Sequence, residues 1–300
     1  VAFNDGSSAG TATIPNRGSA SLDFHGTASA GRAIIRNGLD GHGGSVGFHG
    51  NSTADEATIF NGGEARVDIS DLASDGIAIG ALAGNGAVIL GSKTLTLGGL
   101  GGSYGIAGVI SGSGSLVKTG TGTLTLAGVN SYSGGTVIDE GTVEAMATGA
   151  LGSGPVQVNQ ATLSFLQEAS AGALTIANQG GGVSFRNQAS AGTATISLGV
   201  AGTMPSLTFY DEASAGSATI TSTSGVVAFH DASTADGATI INNAGGGVTI
   251  AGLSSGGIAI GSLSGDGWVD LDTKALTLGG LGRDDAIGGV ISGSGSLIKT

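Results

Sequence analysis

Asp211 and Asp231 each stand two residues after a phenylalanine, in FYDEASAGSATI (209–220) and FHDASTADGATI (229–240), with Tyr210 and His230 beside them. If the two segments lay side by side as parallel strands, the carboxylates would be about 5 Å apart, near the separation of a retaining glycosidase pair. One carboxyl would then serve as acid and the other as nucleophile. The competing reading is conformational, because Asp and Asn start turns by bonding to nearby backbone. The same place holds Asp5, Gly26, Gly50, Gln167 and Asn187 in related segments, which reads as a set of turn residues.

Histidines offer a second chemistry. His25, His49 and His230 each follow such a phenylalanine and point outward in an extended chain, so His25 and His49 could share a metal if their segments are neighbours. The slot otherwise holds Asn4, Leu166, Arg186 and Tyr210, a mixture expected of an unconstrained surface position, and His42 sits in a glycine loop. GGLGRDDAI (279–287) can be laid over the calcium nonapeptide, but no tandem copies follow, and the counterpart GGLGGSYGI has Ser103 in place of the aspartate. Glycine-rich phosphate loops would need a Gly-Lys-Ser/Thr ending and a following helix. A nucleophile elbow would need a strand-turn-helix. The expectation is no catalysis, no metal and no cofactor.

The elements that must position these residues repeat. Five further segments share the pattern of the two already quoted: FNDGSSAGTATI (3–14), FHGTASAGRAII (24–35), FHGNSTADEATI (48–59), FLQEASAGALTI (165–176) and FRNQASAGTATI (185–196). An aliphatic residue two positions before each phenylalanine makes a period-two strand, and the closing Ala-Thr-Ile makes another. Phenylalanines recur every 20 to 24 residues, too far apart for hairpins and suited to one coil of a solenoid. Stacked in register, Phe3, Phe24, Phe48, Phe165, Phe185, Phe209 and Phe229 would form one ladder. Ile14, Ile35, Ile59, Ile176, Ile196, Ile220 and Ile240 would form a second.

Composition agrees with an all-β chain. Of 300 residues 61 are glycine, a poor helix former, while Val, Ile and Thr favour extended backbone. Residues 69–119 align with 250–300 at an offset of 181 without a gap, 33 of 51 pairs being identical. One continuous solenoid over 1–300 is therefore expected, at roughly 20 residues per coil and about 70 Å in length. A formal charge of −12 gives no basic footprint for nucleic acid. There is no cysteine for disulfides or thiolate sites, and no apolar run approaches a spanning helix. Without a leader-like start, and with a motif broken off at the last residues, 1–300 reads as an internal stretch of a longer chain.

The glycine-rich block GSGSLVKTGTGTLTLAGVNSYSGGTVIDEGTVEA (112–145) resembles the autotransporter-associated β-strand repeat, or passenger-associated transport repeat. Its spaced pattern is met at Gly114, Leu116, Lys118, Gly120, Gly122, Leu124, Leu126, Gly128, Asn130, Tyr132, Gly134, Thr136, Ile138 and Gly141, with a one-residue shift at Gly135. A second copy begins at 293. The resemblance implies a right-handed parallel β-helix, exported across a bacterial outer membrane by a C-terminal translocator barrel in the same full-length chain. It also implies a surface stalk that displays adhesive regions, with a host-cell or matrix ligand, or another copy of itself, as partner. The alternative is a carbohydrate-active β-helix, glycosidase or lyase, built on Asp211 and Asp231.

Overall fold

Parallel strands cannot be joined by a tight hairpin, so the chain between two of them must travel around a coil and return. In the computed structural model, which describes residues 1–39, 41–200 and 202–300, it does so about 14 times, roughly every 21 residues. The described strand pairings are parallel, and the described residues contain no helix. The fold is an all-β parallel solenoid.

The chain groups into two compact units, Val1–Glu144 with Gly149–Gly154, and Ala145–Thr148 with Pro155–Thr300. In the first, Ala2–Phe3, Ser21–Phe24 and Ser45–Phe48 lead one sheet, and Thr13–Asn16, Ile34–Asn37 and Thr58–Asn61 lead a second. A third sheet in this unit holds Gly76–Ile79, Thr94–Leu97, Leu116–Lys118 and Thr136–Ile138. In the second unit the phenylalanine strands Thr162–Phe165, Gly182–Phe185, Ser206–Phe209 and Val226–Asp231 are successive neighbours. So are the isoleucine strands Thr175–Asn178, Thr195–Leu198, Thr219–Ser222 and Thr239–Asn242.

Two left-handed corners shape each comb coil. The first lies two residues after the phenylalanine, where φ is +49° at Asp5, +59° at Gln167, +58° at Asn187, +56° at Asp211 and +54° at Asp231. The second lies five residues later, at Gly10, Gly31, Asp55, Gly172, Gly192, Gly216 and Asp236, again with positive φ. Glycine, Asn and Asp tolerate this region best, so the varied residues at the first corner share a backbone requirement and not a side-chain one. Between the corners, Ser170, Ser190, Ser214 and Thr234 make isolated parallel bridges to one another, a third line of contact inside what the sequence reads as a turn. Alanines flank that line inward, and Ala189, Ala191, Ala213 and Ala215 are fully buried.

Candidate functional site

Strand periodicity puts a charged residue into the core of the glycine-rich block. Leu116 and Lys118 are two apart and so face the same way, inward; Lys118 is 1% exposed. At the corner that follows, Gly120 takes φ +67°, and the carbonyls there turn toward the ammonium. Nζ donates to Thr119 O at 2.7 Å, Gly120 O at 2.6 Å and Glu140 O at 3.2 Å, which uses all three of its donors. Glu140 belongs to the next coil, so one side chain ties a turn to its successor. Desolvation by burial holds the amine below its ordinary pKa, and the nearby Glu140 charge opposes that shift. Backbone must approach closely for this cage to form: a Cβ on Gly141 would stand 2.9 Å from Nζ and 2.4 Å from Gly122 O.

Twelve residues on, a second set of polar groups is buried. Asn130 Oδ1 accepts the Ile110 N–H at 2.7 Å, while its Nδ2 donates to Ala150 O at 2.5 Å, so one amide joins the coils on either side. Tyr132 is fully buried, its hydroxyl 2.6 Å from Thr136 Oγ1, which in turn donates to Leu151 O at 3.3 Å. The Tyr132 O–H therefore donates to Thr136, and burial pushes its pKa up. The polar groups of this set find their partners inside the fold. The arrangement is suited to locking successive coils together, since a buried donor or acceptor left without its partner costs about 1–3 kcal/mol.

The structure places the comb residues in two series. Phe3 pairs with Phe24 and Phe24 with Phe48, rings 5.0 and 5.1 Å apart. Phe165, Phe185, Phe209 and Phe229 continue at 4.6, 5.1 and 5.0 Å. Ile14, Ile35 and Ile59 are register partners in one unit, and Ile176, Ile196, Ile220 and Ile240 in the other. All are buried except Phe3 and Ile14, which are half-buried.

The aspartates do come together, with their carboxylates turned along the stack. Asp231 Oδ2 accepts the backbone N–H of Asp211 at 3.1 Å, and Asp211 Oδ2 accepts that of Asn187 at 2.8 Å. Asn187 Oδ1 accepts the N–H of Gln167 at 3.1 Å, so the series is one ladder of corner residues, each holding the coil before it. Alongside runs a column in which Arg186 lies 4.1 Å over the Tyr210 ring and Tyr210 stacks on His230 at 5.0 Å. An open depression of about 490 Å³ borders Asp211, Glu212 and Asp231. His25 stacks on His49 at 4.6 Å. In the stretch 279–287, Asp285 accepts the Ser262 hydroxyl at 2.6 Å and Arg283 reaches Thr239 at 3.3 Å. Among the described residues no group of three or more His, Asp or Glu is arranged to hold a metal, and no helix is long and apolar enough to cross a membrane.

One series escaped the sequence reading. Two residues after each comb isoleucine stand Asn16, Asn37, Asn61, Asn178, Leu198, Ser222 and Asn242, all buried. Asn16 Nδ2 donates to Asn37 Oδ1 at 2.7 Å, and Asn37 Nδ2 donates to Asn61 Oδ1 at 2.9 Å, an amide ladder inside the coil. Asn242 Oδ1 has no donor, because the preceding rung, Ser222, gives its hydroxyl to Gly225 O at 2.6 Å. The signal was present in the period of two, which places Ile and Asn on one face.

Comparison with known proteins bears on the glycine-rich block. Residues 116–145 match the family described as Passenger-associated-transport-repeat. Over 48 residues, 16% of this chain, the sequence is 52% identical to the adhesin BmaC autotransporter of Brucella suis biovar 1 (strain 1330). That stretch is 1% of the length of the relative. No solved structure matches.

Proposed function

We propose that this chain is a passenger segment of a bacterial autotransporter, a surface-displayed β-solenoid with a structural and adhesive role and no catalysis of its own. The observation that carries the reading is the buried polar lock of the repeat, Lys118, Asn130, Tyr132 and Thr136, which joins one coil to the next. A chain threaded unfolded through a membrane pore needs such contacts on the far side. Lys118, Asn130 and Thr136 each find a partner in the following coil, at Glu140, Ala150 and Leu151, which supports folding that proceeds coil by coil. The likeness to an adhesin autotransporter supports display at the cell surface, by a translocator barrel elsewhere in the full-length protein. Host-cell or matrix surfaces, or a second copy, are the partners this reading names. Use of the Asp211 and Asp231 carboxylates as backbone acceptors supports a non-catalytic role for that corner.

The test is protease accessibility of the full-length protein on intact bacteria. Cleavage of the segment by external protease is expected, with less chain displayed when Lys118 and Asn130 are both replaced by alanine. A segment protected from protease on intact cells, and released only on lysis, overturns the proposal.

A further inference from the structure

Three successive coils meet at His49. Its Nδ1 lies 2.9 Å from Asp71 Oδ2 in the coil that follows, and its Nε2 lies 3.8 Å from Asp23 Oδ1 in the coil before. Asp23 is itself held, its other oxygen accepting the Ser21 hydroxyl at 2.6 Å. Gly47 makes the space: a Cβ there would stand 2.7 Å from His49 Nε2 and 2.9 Å from Asp23 Oδ1. The remaining charged neighbours are Asp68, register partner of Gly47 on the next strand, and His25, stacked on His49 with planes 12° apart.

A shared metal does not suit this geometry. The ring-plane lone pairs of two nearly parallel imidazoles run side by side and do not converge on a point about 2 Å from both nitrogens. Proton chemistry suits it well. A neutral imidazole has one N–H and one bare nitrogen, so with a carboxylate at each nitrogen one oxygen faces a lone pair. The imidazolium carries an N–H at each nitrogen, making a hydrogen bond to Asp71 and a longer charge contact with Asp23.

We propose that His49 is a proton-operated clasp that fastens the coils of Asp23, His49 and Asp71 to one another in mildly acidic surroundings. Imidazole as a class changes charge between about pH 5 and 8. Asp23, Asp68 and Asp71 are the acidic groups that face the clasp. His25, if also charged, opposes it, so the stacked pair limits how tightly the clasp closes.

Hydrogen exchange of the intact chain tests this, followed on peptides covering residues 21–25, 45–52 and 66–73 in the wild type and in His49→Gln at pH 5.5 and 7.5. Comparing the two proteins at each pH cancels the intrinsic pH dependence of exchange. The wild-type protection relative to His49→Gln is expected to be about 1.5- to 5-fold larger at pH 5.5 than at 7.5, the range of an exposed ion pair. Equal ratios at the two pH values overturn the proposal. Asp71→Asn, which keeps the size of an exposed side chain, is expected to lose most of the same pH response; a full response in that variant also overturns it.

Discussion

Asp231 reaches back one coil, its Oδ2 accepting the backbone N–H of Asp211 at 3.1 Å, while its own backbone sits at φ +54°. Both facts concern the corner, and they separate two kinds of substitution. Asp231→Asn retains an acceptor and tolerates the left-handed conformation, so it should change stability by less than about 0.5 kcal/mol. Asp231→Ala loses both and should cost about 1–2 kcal/mol. Denaturant midpoints of the two variants check this.

The Lys118 cage predicts a local effect. Lys118→Met keeps a long buried side chain but leaves the carbonyls of Thr119, Gly120 and Glu140 without this donor, at an expected cost of about 2–4 kcal/mol. Faster hydrogen exchange should be concentrated in residues 114–141. Exchange spread evenly over the chain would contradict the role assigned to the cage.

Alkaline titration separates Lys118 from Tyr132. Tyr132 keeps its proton when folded at pH values where the unfolded chain has lost it, so its contribution is fully present below pH 10.0 and is lost as pH rises beyond that. Lys118 acts the other way. Its lowered folded pKa means that the unfolded chain binds more protons just below pH 10.5, so stability rises with pH in that window. Tyr132→Phe should therefore weaken the loss of stability above pH 10, and Lys118→Met should flatten the rise beneath it, as read from urea midpoints between pH 8 and 11.

Phe209 is stacked on both sides, by Phe185 at 5.1 Å and Phe229 at 5.0 Å. Phe209→Ala removes two ring contacts and opens a cavity, for an expected loss of about 3–5 kcal/mol. Since each coil rests on its neighbours, limited proteolysis should cut first near residues 185–229.

The amide ladder allows a stabilising change. Asn242 Oδ1 is buried without a donor, and Ser222 occupies the rung before it. Ser222→Asn would supply an Nδ2 in the manner of Asn37 toward Asn61 and is expected to raise stability by about 1 kcal/mol. A drop in the thermal midpoint would show that the rung lacks room for the amide.

Sequence alone determined the class of fold, because parallel coils place like residues over like, and that demand shows as a 20- to 24-residue recurrence of phenylalanine and as the 181-residue super-repeat. The spaced glycines and Lys118, Asn130 and Tyr132 were legible as a resemblance to the passenger-associated transport repeat. Their work was not. That Lys118 reaches the Glu140 carbonyl, or that Asn130 spans two coils, depends on groups 20 or more residues away in the chain, which only the folded register brings within reach. The asparagine rungs went unread because polar residues near strand ends resemble turn residues until burial distinguishes them. Asp211 and Asp231 show the limit most sharply. Spacing put them side by side, but a left-handed backbone and a neighbouring N–H decided where their carboxylates point. Side-chain direction at a corner follows from φ and from the adjacent coil, and neither is written in the residue type.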